Sequence, residues 1–156
     1  MANTQAFTTS CKAELLIGAH QFGAVTLVSR VSLTVPTTDT FKAALYVATA
    51  TYNAATTAYS VTGEVAGTNY TAGGVTVTNA VAPTSTGTTA FWTPSASFAW
   101  TTVTLATSFD ACLLYNSTQS NRAVSVHTFG ATTITAGNFT LTMPANDATN
   151  ALIRIA

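Results

Sequence analysis

Residue types that do chemistry are few in this chain, and their spacing favours no metal site. There are two histidines, His20 and His127, and two cysteines, Cys11 and Cys112. A zinc site needs three or four converging ligands, and no Cys-x-x-Cys or His-x-x-x-His pair is present. We therefore predict that His20 ends a helix and that His127 lies on the more exposed face of a strand. Both thiols are expected to be reduced and buried, with a disulfide or shared metal as the alternative.

The acidic residues and glycines show no catalytic pattern either. A glycosidase needs two carboxyl groups that face each other across the sugar, and the five acidic residues form no local pair: Glu14, Asp39, Glu64, Asp110 and Asp147. The three aspartates each precede an apolar run, which is typical of turn or cap residues. No Gly-x-Ser-x-Gly elbow is present. Four glycines lie close together in the sequence: Gly63, Gly67, Gly73 and Gly74. A phosphate-binding loop would be followed by a lysine or a helix, and neither follows here. These glycines are therefore predicted to form turns. We predict that the chain is not an enzyme and binds no cofactor.

The aromatic residues are the strongest candidates for a binding role. Four of them lie close together on either side of Pro94: Phe91, Trp92, Phe98 and Trp100. Tryptophan rings stack on sugars, but aromatic residues also dominate protein cores and subunit interfaces. The sequence therefore leaves three roles open for these four residues, namely core packing, a subunit interface or glycan contact.

Charge is sparse, which excludes some partners and favours others. Charged residues make up 6% of the 156 residues, and five basic residues balance five acidic ones, whereas about 25% is usual. So few lysines and arginines form no basic stripe for nucleic acid. No apolar stretch is long enough to span a bilayer, and no secretory signal is evident. A neutral, charge-poor surface is weakly protected against association, so we expect it to meet other protein surfaces.

The elements that must position these residues are mostly strands. Residues 9–20 are the one helix candidate, with Thr9 or Ser10 as its cap and Glu14 near its first turn. Threonine, which favours extended backbone, is the commonest residue with 34 copies. Apolar runs with turn signals between them recur at 24–35, 40–49, 75–78, 90–92, 98–100, 103–105, 111–115, 123–129, 139–143 and 151–155. This pattern predicts one domain over residues 1–156, an all-β antiparallel sandwich of jelly-roll type with one short N-terminal helix and an exposed loop at 79–90.

Five stretches taken together carry a family resemblance. They are residues 7–20 (FTTSCKAELLIGAH), 39–46 (DTFKAALY), 63–75 (GEVAGTNYTAGGV), 113–117 (LLYNS) and 144–155 (PANDATNALIRI). In this order they resemble a family of small virion structural proteins of tailed bacteriophages, which are head decoration (cement) or tail-associated proteins. Residues 24–35 look like an addition between the first two stretches, where members of that family run straight on.

The resemblance implies a non-enzymatic function in the virion. The first expectation is a capsid decoration protein, a homotrimer that binds the major capsid protein on the outside of the head and stabilises the lattice. The alternative is a tail-associated or fibre protein that contacts tail proteins and acts as a receptor- or glycan-binding module. Either protein would be assembled in the host bacterial cytoplasm, without nucleic acid or membrane as a partner.

Overall fold

The computed structural model describes residues 3–16, 19–20, 22–23, 38–79 and 81–156. Within them the chain forms one helix and eight strands: β1 (Ala6–Phe7), α1 (Thr9–Leu16), β2 (Phe41–Val47), β3 (Val75–Thr76), β4 (Thr84–Thr86), β5 (Thr89–Trp92), β6 (Phe98–Asn116), β7 (Arg122–Leu141) and β8 (Ile153–Ile155). The strand predicted at 24–35 lies outside the described residues. The all-β class and the short N-terminal helix are confirmed.

Two antiparallel sheets make up the sandwich-like fold. The larger sheet has the strand order β1-β7-β6-β2-β3, and the smaller one has the order β4-β5-β8. A long hairpin of β6 and β7 forms the centre of the larger sheet, and it extends from the pair Asn116–Arg122 beside its turn to the pair Phe98–Leu141. Alternating apolar and threonine residues keep this hairpin extended.

The prediction of many short strands is wrong in this hairpin. The runs at 98–100, 103–105 and 111–115 all belong to β6. The run at 123–129 and the first three residues of the run at 139–143 belong to β7, which ends at Leu141. The β6–β7 register shifts at several points, and Thr102 and Ala136 have positive φ values of 52° and 46°. Such bulges insert residues and bend a strand without ending it. Turn-like residues therefore occur inside both strands.

The predicted exposed loop at 79–90 is also wrong in part. Its second half contains β4 and the start of β5, which pair from Thr84–Phe91 to Thr86–Thr89. Gly87 has φ +60° in the connection, a conformation that glycine adopts without strain. The tight turn therefore converts an apparent loop into a hairpin of the smaller sheet. The predicted turn glycines Gly63, Gly73 and Gly74 also have positive φ.

Helix α1 is shorter than predicted and begins with a different cap. The Oγ1 of Thr8 accepts a hydrogen bond from the Cys11 backbone N–H at 3.3 Å, so Thr8 is the N-cap instead of Thr9 or Ser10. Glu14 lies in the last turn of the helix and not near the first. The partners of the Glu14 side chain lie outside the helix.

Both faces of the larger sheet are covered near the β6–β7 turn. Alternating residues of β2 belong to two apolar clusters, with Phe41, Ala43 and Leu45 in one and Ala44 and Tyr46 in the other. The first cluster includes residues of the smaller sheet, and the second packs beneath residues 50–59. Away from the turn, the apolar residues of β7 are only half-buried, so other parts of the chain cover this end of the sheet less completely.

Candidate functional site

A buried polar network connects α1, β2 and the β6–β7 turn. Asn116 is fully buried, and its Oδ1 accepts hydrogen bonds from the backbone N–H groups of Thr118 and Gln119, both at 3.1 Å. Its Nδ2 must therefore be the donor to His20 Nδ1 at 3.0 Å and to Asp39 Oδ2 at 2.7 Å. One amide thus holds the chain at residue 20 and again at residue 39.

The same network contains the best metal-ligand candidates among the described residues. One ligand atom each from Cys11, Glu14 and His20 lies within 4.8 Å of the others. Since Asn116 donates to Nδ1 of His20, Nε2 carries the proton and donates to Glu14 Oε2 at 2.6 Å. A metal on Nε2 would move that proton to Nδ1, where it would face the Asn116 N–H groups. The donor set therefore fits a hydrogen-bonded network better than a metal.

Glu14 is also paired with a cation. Arg122 Nη1 donates to Glu14 Oε1 at 2.6 Å, and the Glu14 side chain is mostly buried while that of Arg122 is half-exposed. Burying a carboxylate is tolerated when such partners satisfy it. The Glu14–Arg122 pair ties the helix to β7. The prediction that His20 ends the helix is wrong, because α1 ends at Leu16 and His20 bonds back to Glu14 from beyond it.

The five tyrosines of the chain meet around residues 59–74, a convergence that the sequence did not predict. Glu64 accepts hydrogen bonds from the Tyr59 hydroxyl at 2.6 Å, the Tyr70 hydroxyl at 2.7 Å and the Gly73 N–H at 2.8 Å. The remaining tyrosines donate to backbone carbonyls of the same segment: Tyr46 and Tyr52 to Ser60, and Tyr115 to Gly73. Because these contacts satisfy the hydroxyls within the chain, they secure a long connection against the sheet.

The other aspartates have different roles. Asp147 accepts hydrogen bonds from the N–H groups of Thr149 and Asn150 at 2.8 and 2.7 Å, which confirms the predicted turn. Asp110 lies inside β6 and binds the Asn3 side chain, so the turn prediction is wrong there. Asp39 is buried, and it accepts a hydrogen bond from Asn116, which lies 77 residues further along the chain. Asp39 and Asp110 thus hold distant segments of the chain together, whereas Asp147 acts locally.

The four aromatic residues singled out from the sequence are covered by the chain itself. Phe91, Trp92, Phe98 and Trp100 are 7%, 2%, 3% and 4% exposed. The Trp92 Nε1 donates to the Val81 carbonyl at 3.0 Å, and its ring packs against Phe22 with centroids 5.1 Å apart. The described residues thus bury all four within the fold, and Phe91 and Trp92 also line a pocket of about 240 Å³. An interface or glycan role stays a prediction.

A half-exposed aromatic row lies beside them on β7, and it was not predicted from the sequence. Phe139 packs against Trp100, Phe109 and Phe129, with ring centroids 5.8, 5.0 and 5.2 Å apart. Phe129, Ile134, Phe139 and Leu141 are all partly buried against the core. The indole N–H of Trp100 is buried, and no described residue accepts its hydrogen bond. Buried donors without an acceptor are rare in native proteins.

The outer edge of β7 is the longest uncovered edge among the described residues. β1 pairs with β7 only at Ser125 and Val126, and no described strand pairs with that edge between His127 and Leu141. Exposed edges usually carry charged residues that oppose further pairing, but residues 123–146 contain no Asp, Glu, Lys or Arg. Residues 65–109 contain none either. The half of the hairpin away from its turn is therefore uncharged on both strands.

His127 marks one end of this edge. It is partly buried, yet more exposed than Val124 and Val126 as predicted, and its Nε2 lies 2.8 Å from Ser125 Oγ. Burial lowers the pKa of His127 to about 4, so the side chain is neutral at physiological pH. It also borders a groove of about 250 Å³ that Phe129, Leu141 and Met143 help to line.

Both cysteines are free and fully buried. Burial raises the pKa of the Cys11 thiol to about 12, with a further contribution from Glu14, and it also raises the pKa of Cys112. A thiol of raised pKa carries little thiolate and is a poor nucleophile.

Comparisons of this chain with protein-family models, with curated proteins and with solved structures gave no match. The helix found in the described residues is too short to cross a membrane.

Proposed function

We propose that this chain is a non-enzymatic structural protein of a tailed-bacteriophage virion, a capsid decoration protein that binds the major capsid protein on the outside of the head. The observation that carries the proposal is the uncharged half of the β6–β7 hairpin, with its half-exposed aromatic row and an edge that no described strand covers. A surface of this kind favours contact with other protein chains. The resemblance of five stretches of the sequence to small virion proteins supports the same function.

Cementing suits the arrangement of the described residues. The long tyrosine-bound connection and the Asn116 network hold segments together by hydrogen bonds, while the hairpin presents its uncharged half. Many copies on one shell, each with a modest contact area, reinforce it through multivalency. The trimer expected from the family resemblance would match three-fold positions of a capsid lattice, and it remains part of this proposal.

Counting copies in purified particles tests the proposal. Quantitative mass spectrometry should find the chain at hundreds of copies per particle, and a cryo-EM reconstruction should place it on the outside of the head. A count of about a dozen or fewer, as expected for a ring in the tail, would contradict decoration and favour the tail-associated alternative. Particles that lack the chain should also lose heat resistance, and the purified chain should restore it.

A further inference from the structure

We propose that the groove between α1 and β8 binds an extended segment of another protein in which acidic and apolar residues alternate. The groove has a volume of about 410 Å³ and is lined by Phe7, Lys12, Leu15, Arg154, Ile155 and Ala156. None of these residues belongs to the β6–β7 hairpin. The contact therefore goes beyond the proposed function, since it is charged as well as apolar and lies outside the uncharged surface described above.

The apolar part of the groove is unusually exposed for this chain. Ile155 is 48% exposed, and it is one of two large apolar side chains that the described residues leave so exposed. Phe7 and Leu15, which are half-buried, lie beside it in the groove. Leu15 and Ile155 also border the pocket of about 240 Å³ that Phe91 and Trp92 line. Apolar surface thus continues from the groove into a pocket, where a partner's apolar side chains can be buried.

Two cations line the same groove. Lys12 and Arg154 are both exposed. The ion pairs found within the described ranges all involve Glu14 and lie in the network described above, so neither cation of the groove has an ion-pair partner there. Lys12 Nζ lies 5.9 Å from the centroid of the Phe7 ring, and Arg154 Nη1 donates to the Ala148 carbonyl oxygen at 3.5 Å. Carboxylates form charge-assisted hydrogen bonds with lysine and arginine, so an acidic ligand complements the groove.

This chain offers no acidic side chain for the groove. Asp147 is attracted by Arg154, but both its carboxylate oxygens accept hydrogen bonds from Asn150. The residues outside the described ranges contain no Asp or Glu, and the one charged residue of 24–37 is Arg30. A second copy brings the same five carboxylates, each of which accepts a hydrogen bond within its own chain: Glu14, Asp39, Glu64, Asp110 and Asp147. Charge therefore favours a different protein as the partner.

The edge of β8 favours an extended partner. β8 pairs with β5, and no other strand in the described part of the chain pairs with it. An extended peptide adds to such an edge through backbone hydrogen bonds, while alternate side chains give specificity. Along β8, Ile153 and Ile155 point to one face and Arg154 to the other. Since facing residues of paired strands share a face, the partner should place apolar residues beside the isoleucines and a carboxylate beside Arg154.

Fluorescence anisotropy with labelled peptides tests the proposal on the purified, intact chain. The probe is a short peptide in which aspartate alternates with leucine. One matched control replaces every aspartate by asparagine, and the other replaces every leucine by serine. The intact chain should bind the probe more tightly than either control. These comparisons use the unmodified protein, so they do not depend on the folding of a variant.

Substitutions in the groove then locate the binding site. Lys12→Gln and Arg154→Gln should each weaken binding of the probe about threefold, and the double variant about tenfold, which is the size expected for exposed ion pairs. Lys42→Gln is the charge control, because Lys42 lies in β2 and does not line the groove. Ile155→Ser should also weaken binding, whereas Val61→Ser should not, although Val61 is 67% exposed.

Binding of the probe that is undetectable in the intact chain would overturn the proposal, whatever covers the groove. Equal binding of the aspartate and asparagine peptides would overturn it as well, and so would equal losses from Lys12→Gln and Lys42→Gln. Equal binding of the serine control would indicate a site for any polyanion and would also refute a peptide site. Probe binding by a chain that is absent from virions would refute the proposed function alone, whereas a chain found on heads that binds no probe would refute this contact alone.

Discussion

Alkaline pH is expected to unfold this protein cooperatively, because its tyrosines are held as neutral groups inside the fold. Burial is the main cause of the raised pKa of Tyr115, to about 12, and the Glu64 carboxylate adds to the shift. The pKa values of the other four tyrosines are raised in the same direction, again mainly by burial. A tyrosine that holds its proton more tightly when folded favours unfolding as the pH rises above its unfolded pKa of about 10.

The size of the effect follows from the number of well-covered rings. Tyr46 and Tyr115 are 0% and 2% exposed, and each removes about 1.4 kcal/mol of stability per pH unit between its unfolded and folded pKa values. Together they remove about 3 kcal/mol per unit, and the other three tyrosines act in the same direction. The tyrosines alone would therefore unfold a domain stabilised by about 5 kcal/mol near pH 12.

The assay follows tyrosinate absorbance and far-ultraviolet circular dichroism in one pH titration. Both signals should change together, with little tyrosinate before the loss of strand signal. The two buried thiols act in the same direction from a lower pH, since the unfolded pKa of cysteine is about 8.5. They therefore lower the pH of unfolding further, and Cys112→Ala should raise it by removing one of them. Tyr115→Phe should make the pH dependence shallower. Tyrosinate that forms with a midpoint near pH 10 while the dichroism stays constant would refute the reasoning.

Three further predictions concern single residues. Asn116→Ala should lower the free energy of unfolding by about 3 kcal/mol, because it leaves several buried polar partners unsatisfied; urea denaturation measures this, and a loss below 1 kcal/mol, the size of one ordinary hydrogen bond, would count against the network. Gly74→Ala should lower the melting temperature far more than Gly87→Ala: both residues have positive φ, but only at Gly74 would the new Cβ meet backbone, 1.8 Å from the Ala43 carbonyl oxygen. Equal melting temperatures would contradict this. His127, with its pKa lowered to about 4, should titrate by NMR well below a free histidine. Because the folded state binds this proton less readily than the unfolded state, stability is full above about pH 6.5 and falls as the pH drops towards 4; His127→Gln should flatten that dependence.

The sequence predicted elements whose patterns are local. The strand β2 was expected because Phe41, Ala43 and Leu45 alternate along it, and all three are buried in one cluster. The start of α1 was found within one residue of its cap because hydroxyl side chains precede the helix. In both cases the signal lies within a few neighbouring residues.

The features that were missed depend on tertiary contacts or on tolerated irregularity. Glu64 gave no local sign of the tyrosines around it, since the partners of the segment extend from Tyr46 to Tyr115. The β6–β7 hairpin was divided into short strands because Asp110 and Asn138 resemble turn residues, although they lie inside bulged strands. The stretch without charge at 123–146 was visible in the sequence and was the available signal for the exposed edge.

The use of charge within the fold explains why association is the expected behaviour of this surface. All five acidic residues make hydrogen bonds within the chain: Glu14, Asp39, Glu64, Asp110 and Asp147. Three of them, Glu14, Asp39 and Asp110, hold distant segments together, and the charge of Glu14 is balanced by Arg122. Repulsion also decays within about 8 Å at physiological ionic strength, so charges near the hairpin turn protect the opposite end poorly. The end that carries the aromatic row is thus the end where an approaching protein chain meets the least electrostatic resistance.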